Sequence, residues 1–351
     1  MENSEISWCD HTHNHWEGCT KVSPGCAHCY AEARDKRFTG GIHWGAGAPR
    51  RLTSLANRNK PHRWNRAAAE ALKNHSEECA KDISYGQHVK PPARPRVFCS
   101  SLADWLDDEV PLEWLADLLG LIHETPHLDW LLLTKRPQMW ELRCAEVAQS
   151  AFPDRLPRIG ANLANNWFGG EEAPANVWIG TTVEDQQRAD ERIPALLNIP
   201  ARVRFLSCEP LLGPVNLTVA IPGGSPSYNS LKPYRPDYCK EPFQPSIHWV
   251  ICGGESGPGA RPMHSDWARS LRDQCAAAGV AFHFKQWGEW AEGGNLTSNG
   301  QMIPDCLGSK KDDPAHYHYF ETAPYSKTWR VGKKLAGRLL DDVRHDAFPT
   351  L

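Results

Sequence analysis

The feature that most constrains the fold is a repeated order of apolar strand, polar strand end and helix between residues 96 and 287. Six apolar runs predict strands at Arg96–Ser101, Leu128–Leu133, Val177–Thr182, Val203–Cys208, Ile247–Cys252 and Ala281–Phe284. Amphipathic segments predict helices at Pro111–His123, Gln138–Ala151, Gln187–Leu197 and Ser265–Ala278. Apolar strands that alternate with helices build parallel sheets covered on both faces. We therefore predict an α/β protein with a partial parallel (β/α) barrel of about six β/α units.

We expect this barrel to occupy residues 1–290, with insertions at 42–95 and 215–246. A C-terminal extension, 291–351, is expected to pack on the barrel. The sequence predicts three further elements: a first strand at Ile6–Cys9, a helix at Tyr30–Phe38 and a final helix at Leu335–Val343.

Three cysteines fall within eleven residues, at Cys19, Cys26 and Cys29, with the spacing C-x6-C-x2-C. Pro24-Gly25 predicts a turn just before the second cysteine, and the C-x2-C pair lets two sulfurs face one soft metal centre. Three thiolates around a four-iron cluster leave one iron open for a ligand. The spacing therefore favours an iron–sulfur cluster with a chemical role.

A structural zinc site is the alternative for the same loop. His13, His15 or His28 would then complete a Cys3His set. His11, His13 and His15 alternate along the chain, so they share one strand face if the segment is extended. Such a face suits either a polar active-site wall, which we favour, or a metal site.

The C-x2-C pair followed by an aromatic residue, Tyr30, resembles the cluster loop of the radical S-adenosylmethionine (SAM) superfamily, whose usual spacing is C-x3-C-x2-C. With its wider first gap, the chain is more similar to phage- and prophage-associated radical-SAM-like proteins of unassigned reaction. The resemblance extends through Leu133–Pro137, Val183–Asp185, Glu209–Pro214, Gly253–Pro262, Phe284–Gly288 and Val331–Lys334.

The resemblance implies a [4Fe-4S] cluster on Cys19, Cys26 and Cys29 and SAM bound to the open iron. An external electron donor would reduce the cluster, and cleavage of SAM would give a 5′-deoxyadenosyl radical that takes hydrogen from a substrate. Gly253-Gly254-Glu255 looks like the superfamily's amine-binding Gly-Gly-Glu motif, although here it follows a late strand rather than an early one.

The remaining candidates lie at predicted strand ends, where parallel barrels bind their ligands. A carboxylate is the simplest partner for the cationic amine of SAM. The expected cofactor-binding residues are Tyr30, Glu184, Glu209, Gly253, Gly254, Glu255 and Ser256. The expected catalytic residues are Asp104, Lys135, Lys285 and Gln286, with Lys135 and Arg136 or Lys285 and Gln286 placed to grip a carboxylate or phosphate.

The substrate is expected to be a nucleic acid or a nucleotide. Six cations between Arg50 and Arg66, with no acidic residue among them, could hold a phosphate backbone, and Trp64 could stack on a base. The formal net charge of −3 gives no global reason for this partner. Two other functions stay open: a zinc-organised nucleic-acid-binding protein without catalysis, and a regulatory subunit that binds SAM and an iron–sulfur cluster.

The twelve cysteines are spread over a long chain without an apolar leader segment, which favours a reducing cytoplasm over a disulfide-bonded secreted protein. No run of residues approaches the length that spans a bilayer, so no membrane partner is expected.

Overall fold

The computed structural model describes residues 2–81, 89–170, 173–221, 225–233, 245–293, 302, 317–321 and 326–350. Its strands are β1 (His11–His13), β2 (Trp16–Glu17), β3 (Arg51–Leu52), β4 (Arg96–Cys99), β5 (Asp129–Thr134), β6 (Val177–Thr182), β7 (Val203–Cys208), β8 (Thr218–Ile221), β9 (Ser225–Asn229), β10 (Trp249–Gly253), β11 (Ala281–Gln286), β12 (Trp290–Glu292), β13 (Tyr317–Phe320) and β14 (Ser326–Arg330).

The α-helices are α1 (Tyr30–Thr39), α2 (Leu55–Arg58), α3 (Lys60–Lys81), α4 (Leu112–Glu124), α5 (Trp140–Gln149), α6 (Arg155–Phe168), α7 (Gln186–Leu197), α8 (Ser265–Ala278) and α9 (Lys333–Ala336). Short 3-10 helices lie at Pro24–Cys26 and Pro137–Met139.

Seven strands form one parallel sheet in the order β1-β4-β5-β6-β7-β10-β11. The register pairs Thr12 with Phe98 and Phe98 with Leu131, and Val250 with both Leu206 and Phe282. The predicted α/β class and parallel sheet are confirmed, and the strand order is consistent with a partial parallel (β/α) barrel. The predicted bounds of β6, β7 and α8 are those observed.

The predicted first strand at Ile6–Cys9 is wrong. The chain turns there, with the Cys9 N–H donating to the Ile6 carbonyl at 3.2 Å, and the strand that joins the sheet is β1. Trp8 is buried against Phe98, with ring centroids 4.6 Å apart, so its apolar character reflects core packing rather than a strand.

The predicted final helix at Leu335–Val343 is also wrong. Helix α9 ends at Ala336, and Gly337 follows with φ of 71°, a left-handed conformation that suits glycine. Leu340 and Val343 then exchange backbone hydrogen bonds across a tight turn.

Helix α6, which the sequence pattern did not indicate, lies between β5 and β6.

The chain forms two compact units. Unit 1 comprises residues 1–20, 34–179 and 200–202, and unit 2 comprises 21–33, 180–199 and 203–351. In unit 1, helices α4 and α6 pack closely at Gly160, where a Cβ would lie 1.8 Å from the Ala116 carbonyl oxygen.

In unit 2 the C-terminal segment packs on β10 and β11. The indole N–H of Trp249 donates to the Ala347 carbonyl at 2.9 Å, and the backbone N–H of Phe284 donates to the His345 carbonyl at 2.9 Å.

The predicted division at residue 290 stays a prediction. Within the predicted 215–246 insertion, 222–224 and 234–244 lie outside the described residues. No described helix is long and apolar enough to cross a membrane.

Candidate functional site

The three cysteines of the C-x6-C-x2-C loop differ from the core cysteines in exposure. Cys19, Cys26 and Cys29 are half-buried and free, as is Cys79 on helix α3. The other described cysteines are buried: Cys9, Cys99, Cys144, Cys208, Cys252 and Cys275. The loop therefore offers thiols that a metal could reach, whereas most of the other described thiols pack in the core.

In unit 1, the Arg136 guanidinium holds the first end of the cysteine loop. Its Nη2 donates to the Thr20 carbonyl at 2.9 Å, and its Nη1 lies 3.6 Å from the Cys19 sulfur. Arg136 lies two residues past the end of β5 and is buried. From the sequence we expected Arg136 to bind a carboxylate or phosphate of a ligand, whereas in the structure it holds the loop.

The buried Asp104 carboxylate fixes Arg136 in this position. One oxygen accepts from the Thr134 hydroxyl at 2.6 Å and the Leu106 N–H at 3.1 Å. The other accepts from the Lys135 backbone N–H at 2.9 Å and from Arg136 Nη1 at 3.1 Å. Four donors use this carboxylate within the protein. The Lys135 ammonium, by contrast, has no hydrogen bond or ion pair to the part of the chain that the structure describes.

A second guanidinium, Arg50, supports the same end of the loop from the side. Its Nη2 donates to the Thr20 hydroxyl at 2.8 Å, and its Nε donates to Asp107 at 2.7 Å. Its side chain is 0% exposed. Because both groups are buried and paired, this contact orders Thr20 next to Cys19.

Burial raises the pKa of the Cys19 thiol to about 12, and the neighbouring Asp104 charge adds to this rise. Arg136 opposes both effects through its charge and its hydrogen bond. A thiol of this kind gives up its proton at neutral pH when a metal ion takes its place.

In unit 2, the Pro24–Gly25 peptide is held from both ends. The Gly25 N–H donates to Glu184 Oε1 at 3.2 Å, and the Pro24 carbonyl accepts from Arg261 Nη2 at 3.0 Å. This peptide leads directly into Cys26. The turn that the sequence predicted from Pro-Gly is the short 3-10 helix observed.

Each of these contacts depends on a carboxylate–arginine pair. The fully buried Glu184 accepts from Arg192 Nη1 on α7 at 2.8 Å. Glu255 forms a two-pronged pair with Arg261, whose Nε and Nη2 donate to its two oxygens at 2.8 and 2.7 Å. Two of the carboxylates expected to bind the SAM amine, Glu184 and Glu255, are therefore already paired with arginines.

Four predicted residues of unit 2 meet in pairs. Lys285 Nζ lies 3.0 Å from Glu209 Oε1, and Gln286 Nε2 donates to the Ser256 hydroxyl at 2.8 Å. Among the described residues, Lys285 is the only partner that the structure gives the Glu209 carboxylate. Both members of this ion pair retain some exposure, at 11% for Glu209 and 26% for Lys285.

Gly253 and Gly254 are required by close packing. A Cβ on Gly254 would lie 1.9 Å from the Trp287 carbonyl oxygen, which is fixed backbone. A Cβ on Gly253 would lie 2.7 Å from Glu209 Oε1, the end of a side chain. Gly254 therefore has a structural role, and Gly253 keeps space beside the Glu209 carboxylate.

The loop thiols are of the ligand type that an iron–sulfur cluster uses, and all three are free and half-buried. The backbone around them is held by carboxylate–arginine pairs. No group of three or more His, Cys, Asp or Glu in the described ranges is arranged to hold a metal ion. Tyr30, the aromatic residue after Cys29, is the first residue of α1 and is 60% exposed.

The histidines considered as zinc ligands differ in burial. His13 and His15 are buried in unit 1, with 3.4 Å between His13 Nε2 and His15 Nδ1, and His15 Nε2 lies 2.8 Å from Asp117. Burial lowers the pKa of both rings. They form a buried chain rather than an active-site wall. In unit 2, the exposed His28 lies against Gly259.

The basic segment at 50–66 does not form the predicted phosphate-binding surface. Trp64 is 4% exposed and stacks on His11 with ring centroids 4.3 Å apart, so it offers no face to a base. Most of the arginines are paired with carboxylates: Arg50 with Asp107, Arg51 with Glu17, Arg58 with Asp117 and Arg63 with Glu2. Sequence alone shows the cations but not these partners.

A family model described as a protein of unknown function, DUF5131, matches residues 3–349. The chain belongs to the DUF5131 family. No curated protein and no solved structure gives a significant match. The DUF5131 match spans the cysteine loop and all the strand-end residues that hold it.

Sequence reasoning missed the roles of three arginines in this DUF5131 chain. Arg136, Arg192 and Arg261 each pair with a strand-end carboxylate, and Arg136 and Arg261 also bind loop carbonyls. Two of them lie within the sequence blocks that carried the resemblance, which is the signal that could have marked them.

Proposed function

We propose that this chain is a radical SAM enzyme in which Cys19, Cys26 and Cys29 hold a [4Fe-4S] cluster. The observation that carries the proposal is the set of contacts that order the cysteine loop. Strand-end pairs hold it at Thr20, Pro24 and Gly25, each next to or near a cysteine. Buried ion pairs are costly unless well satisfied, so their use on a short surface loop indicates that the position of its thiols matters.

When bound, the cluster supplies the electron that cleaves SAM, and the chain supplies geometry. Arg136 holds the Cys19 end of the loop, and Glu184 with Arg261 holds the turn before Cys26. A guanidinium hydrogen bond to a cysteine sulfur also favours the thiolate form that metals bind.

The Glu209–Lys285 pair is the best candidate to bind the amino-acid end of SAM. Of the four carboxylates considered, Asp104 and Glu184 already accept from buried arginines, and Glu255 accepts from the half-buried Arg261. Glu209 has a single, partly exposed lysine partner. An amine can bind Glu209 while a carboxylate binds Lys285, so the pair matches both charges of an amino acid.

In unit 1, Lys135 is our candidate to bind an anionic group of the substrate, because its ammonium has no hydrogen bond or ion pair among the described residues. In unit 2, Gln286 and Ser256 supply hydrogen-bonding groups. We propose a nucleic acid or nucleotide as substrate and an external protein or small molecule as electron donor. Free thiols at every described cysteine support a reducing, cytoplasmic setting. The resemblance to phage-associated proteins also favours a nucleic acid or nucleotide, and it is likewise a proposal.

Anaerobic reconstitution with iron and sulfide, followed by SAM and dithionite, tests the proposal through the formation of 5′-deoxyadenosine. The wild-type chain and Cys79→Ala, a half-buried cysteine outside the loop, should form it, and Cys26→Ala should not. A colourless protein that retains zinc would support the zinc-organised alternative. A brown protein that binds SAM without cleaving it would support the regulatory subunit.

A further inference from the structure

Residues 34–42, in unit 1, present cations without exposed carboxylates. Arg34, Lys36 and Arg37 are exposed, whereas Asp35, the one acidic residue of the segment, is buried and bonded to Thr39 and His43. Arg51 lies beside the segment, since it shares the buried Glu17 with Arg34. This local excess of positive charge matches a polyanion.

The same segment exposes an aromatic ring that has two guanidinium groups near it. Phe38 is 68% exposed, and the guanidinium carbons of Arg34 and Arg37 lie 5.6 and 5.4 Å from its ring centroid. Ile42, four residues on, is 60% exposed. An exposed ring with adjacent arginines combines a surface on which a base stacks with cations that bind the flanking phosphates.

We propose that residues 34–42 bind a single-stranded nucleic acid, with Phe38 stacking on a base and Arg37 contacting the backbone. That this polymer is the substrate rests on the proposed function, because the surface begins five residues after Cys29 in the chain. The binding itself does not depend on the cluster.

This surface differs from the 50–66 segment in the exposure of its aromatic ring. Trp64 of that segment is buried and stacks on His11, whereas Phe38 is 68% exposed. In this surface, Arg34 and Arg51 share one carboxylate, Glu17. A single strand fits better than a duplex, because bases in a duplex are already stacked on one another.

Fluorescence anisotropy with a labelled oligothymidylate of about 20 nucleotides, longer than common site sizes, tests the proposal in low and raised salt. Phe38→Ala should weaken binding about tenfold. Arg37→Gln should lower the slope of log affinity against log salt by about 0.7. The matched controls are Arg66→Gln and Leu72→Ala, an exposed arginine and a partly exposed leucine of α3, and both should bind as the wild type does.

Several results would overturn the proposal: no oligonucleotide binding by the wild type at low salt, unchanged binding by both variants, or equal affinity for duplex and single strand. Binding to anionic vesicles without binding to oligonucleotides would also overturn it, in favour of a membrane surface. Cluster content measured on the same samples separates the two claims. Loss of oligonucleotide binding with an intact cluster contradicts only this inference, and binding without any cluster contradicts only the proposed function.

Discussion

The Glu184 carboxylate accepts a hydrogen bond from the Gly25 N–H at 3.2 Å, which joins a residue two positions past β6 to the turn before Cys26. Glu184 is fully buried and is paired with Arg192 on helix α7. In unit 2, Glu184 at the end of β6 thus holds the backbone next to the Cys26 thiol. Arg261 holds the same turn in a similar way, because it donates a hydrogen bond to the Pro24 carbonyl.

Glu184→Gln should lower the free energy of unfolding of the metal-free protein by about 1–3 kcal/mol, because it leaves the buried Arg192 charge without its carboxylate. Urea denaturation measures this effect, and iron content after reconstitution should fall in parallel. Glu191→Gln, an exposed glutamate on the same helix, is the control and should change neither value. Wild-type stability and iron content in Glu184→Gln would show that the contact does not order the loop.

Arg136→Lys keeps the charge beside Asp104 but loses the planar fork that reaches both the Thr20 carbonyl and the Cys19 sulfur. We expect a loss of stability of about 1–2 kcal/mol and faster loss of iron to a chelator. Arg155→Lys is the control, because Arg155 is exposed and pairs with Glu124. It should change neither stability nor the rate of iron loss. Iron loss at the wild-type rate in Arg136→Lys would contradict the assigned role.

Gly253→Ala and Gly254→Ala test whether the two glycines have different roles, Gly253 in leaving space for SAM beside Glu209 and Gly254 in packing. Gly254→Ala forces a methyl group against the Trp287 carbonyl and should destabilise the fold by more than about 2 kcal/mol. A Cβ on Gly253 meets the end of the Glu209 side chain at 2.7 Å and the Gln286 carbonyl oxygen less closely, at 3.3 Å, so stability should change less while SAM affinity falls. Thermal denaturation and equilibrium dialysis with labelled SAM measure the two effects. Equal destabilisation by both substitutions would remove the distinction.

The Asp129 carboxyl at the start of β5 should make stability depend on pH. Burial raises its pKa to about 6 against the opposing charges of Arg94 and Arg202, from 3.8 in the unfolded chain. Between these values the unfolded chain releases a proton that the folded chain retains. The contribution to stability is therefore greatest below pH 4 and is lost as the pH rises through about 6.

Asp129→Asn should accordingly be more stable than the wild type at pH 7, by about 1–3 kcal/mol, and this advantage should shrink toward pH 4. Urea denaturation at a series of pH values measures the difference. An Asn variant that is less stable at pH 7, or whose advantage does not vary with pH, would contradict the assigned cause.

Strands β6 and β1 show how far the sequence predicts the fold. Val177–Thr182 is buried throughout and reads as a strand from its apolar run, and its bounds are those predicted. His11–His13 carries no such pattern, because His13 is buried through its contact with His15 rather than through an apolar side chain. The sequence could not show that contact.

The candidate site shows the same limit. Strand-end position was sufficient to select Asp104, Glu184, Glu209 and Glu255. It could not show that three of them would be occupied by Arg136, Arg192 and Arg261, because these pairs depend on how helices and loops fold back onto the strand ends. The partly exposed Glu209–Lys285 pair became the best ligand candidate only once the other three carboxylates were accounted for.

Iron and sulfide content after anaerobic reconstitution, measured on the wild type, Cys26→Ala and Cys79→Ala, tests the central claim most directly. The account predicts about four iron and four sulfide per chain in the wild type and Cys79→Ala, with a brown colour that Cys26→Ala loses. Full cluster content in Cys26→Ala, or a colourless wild-type protein that holds zinc instead, would contradict it.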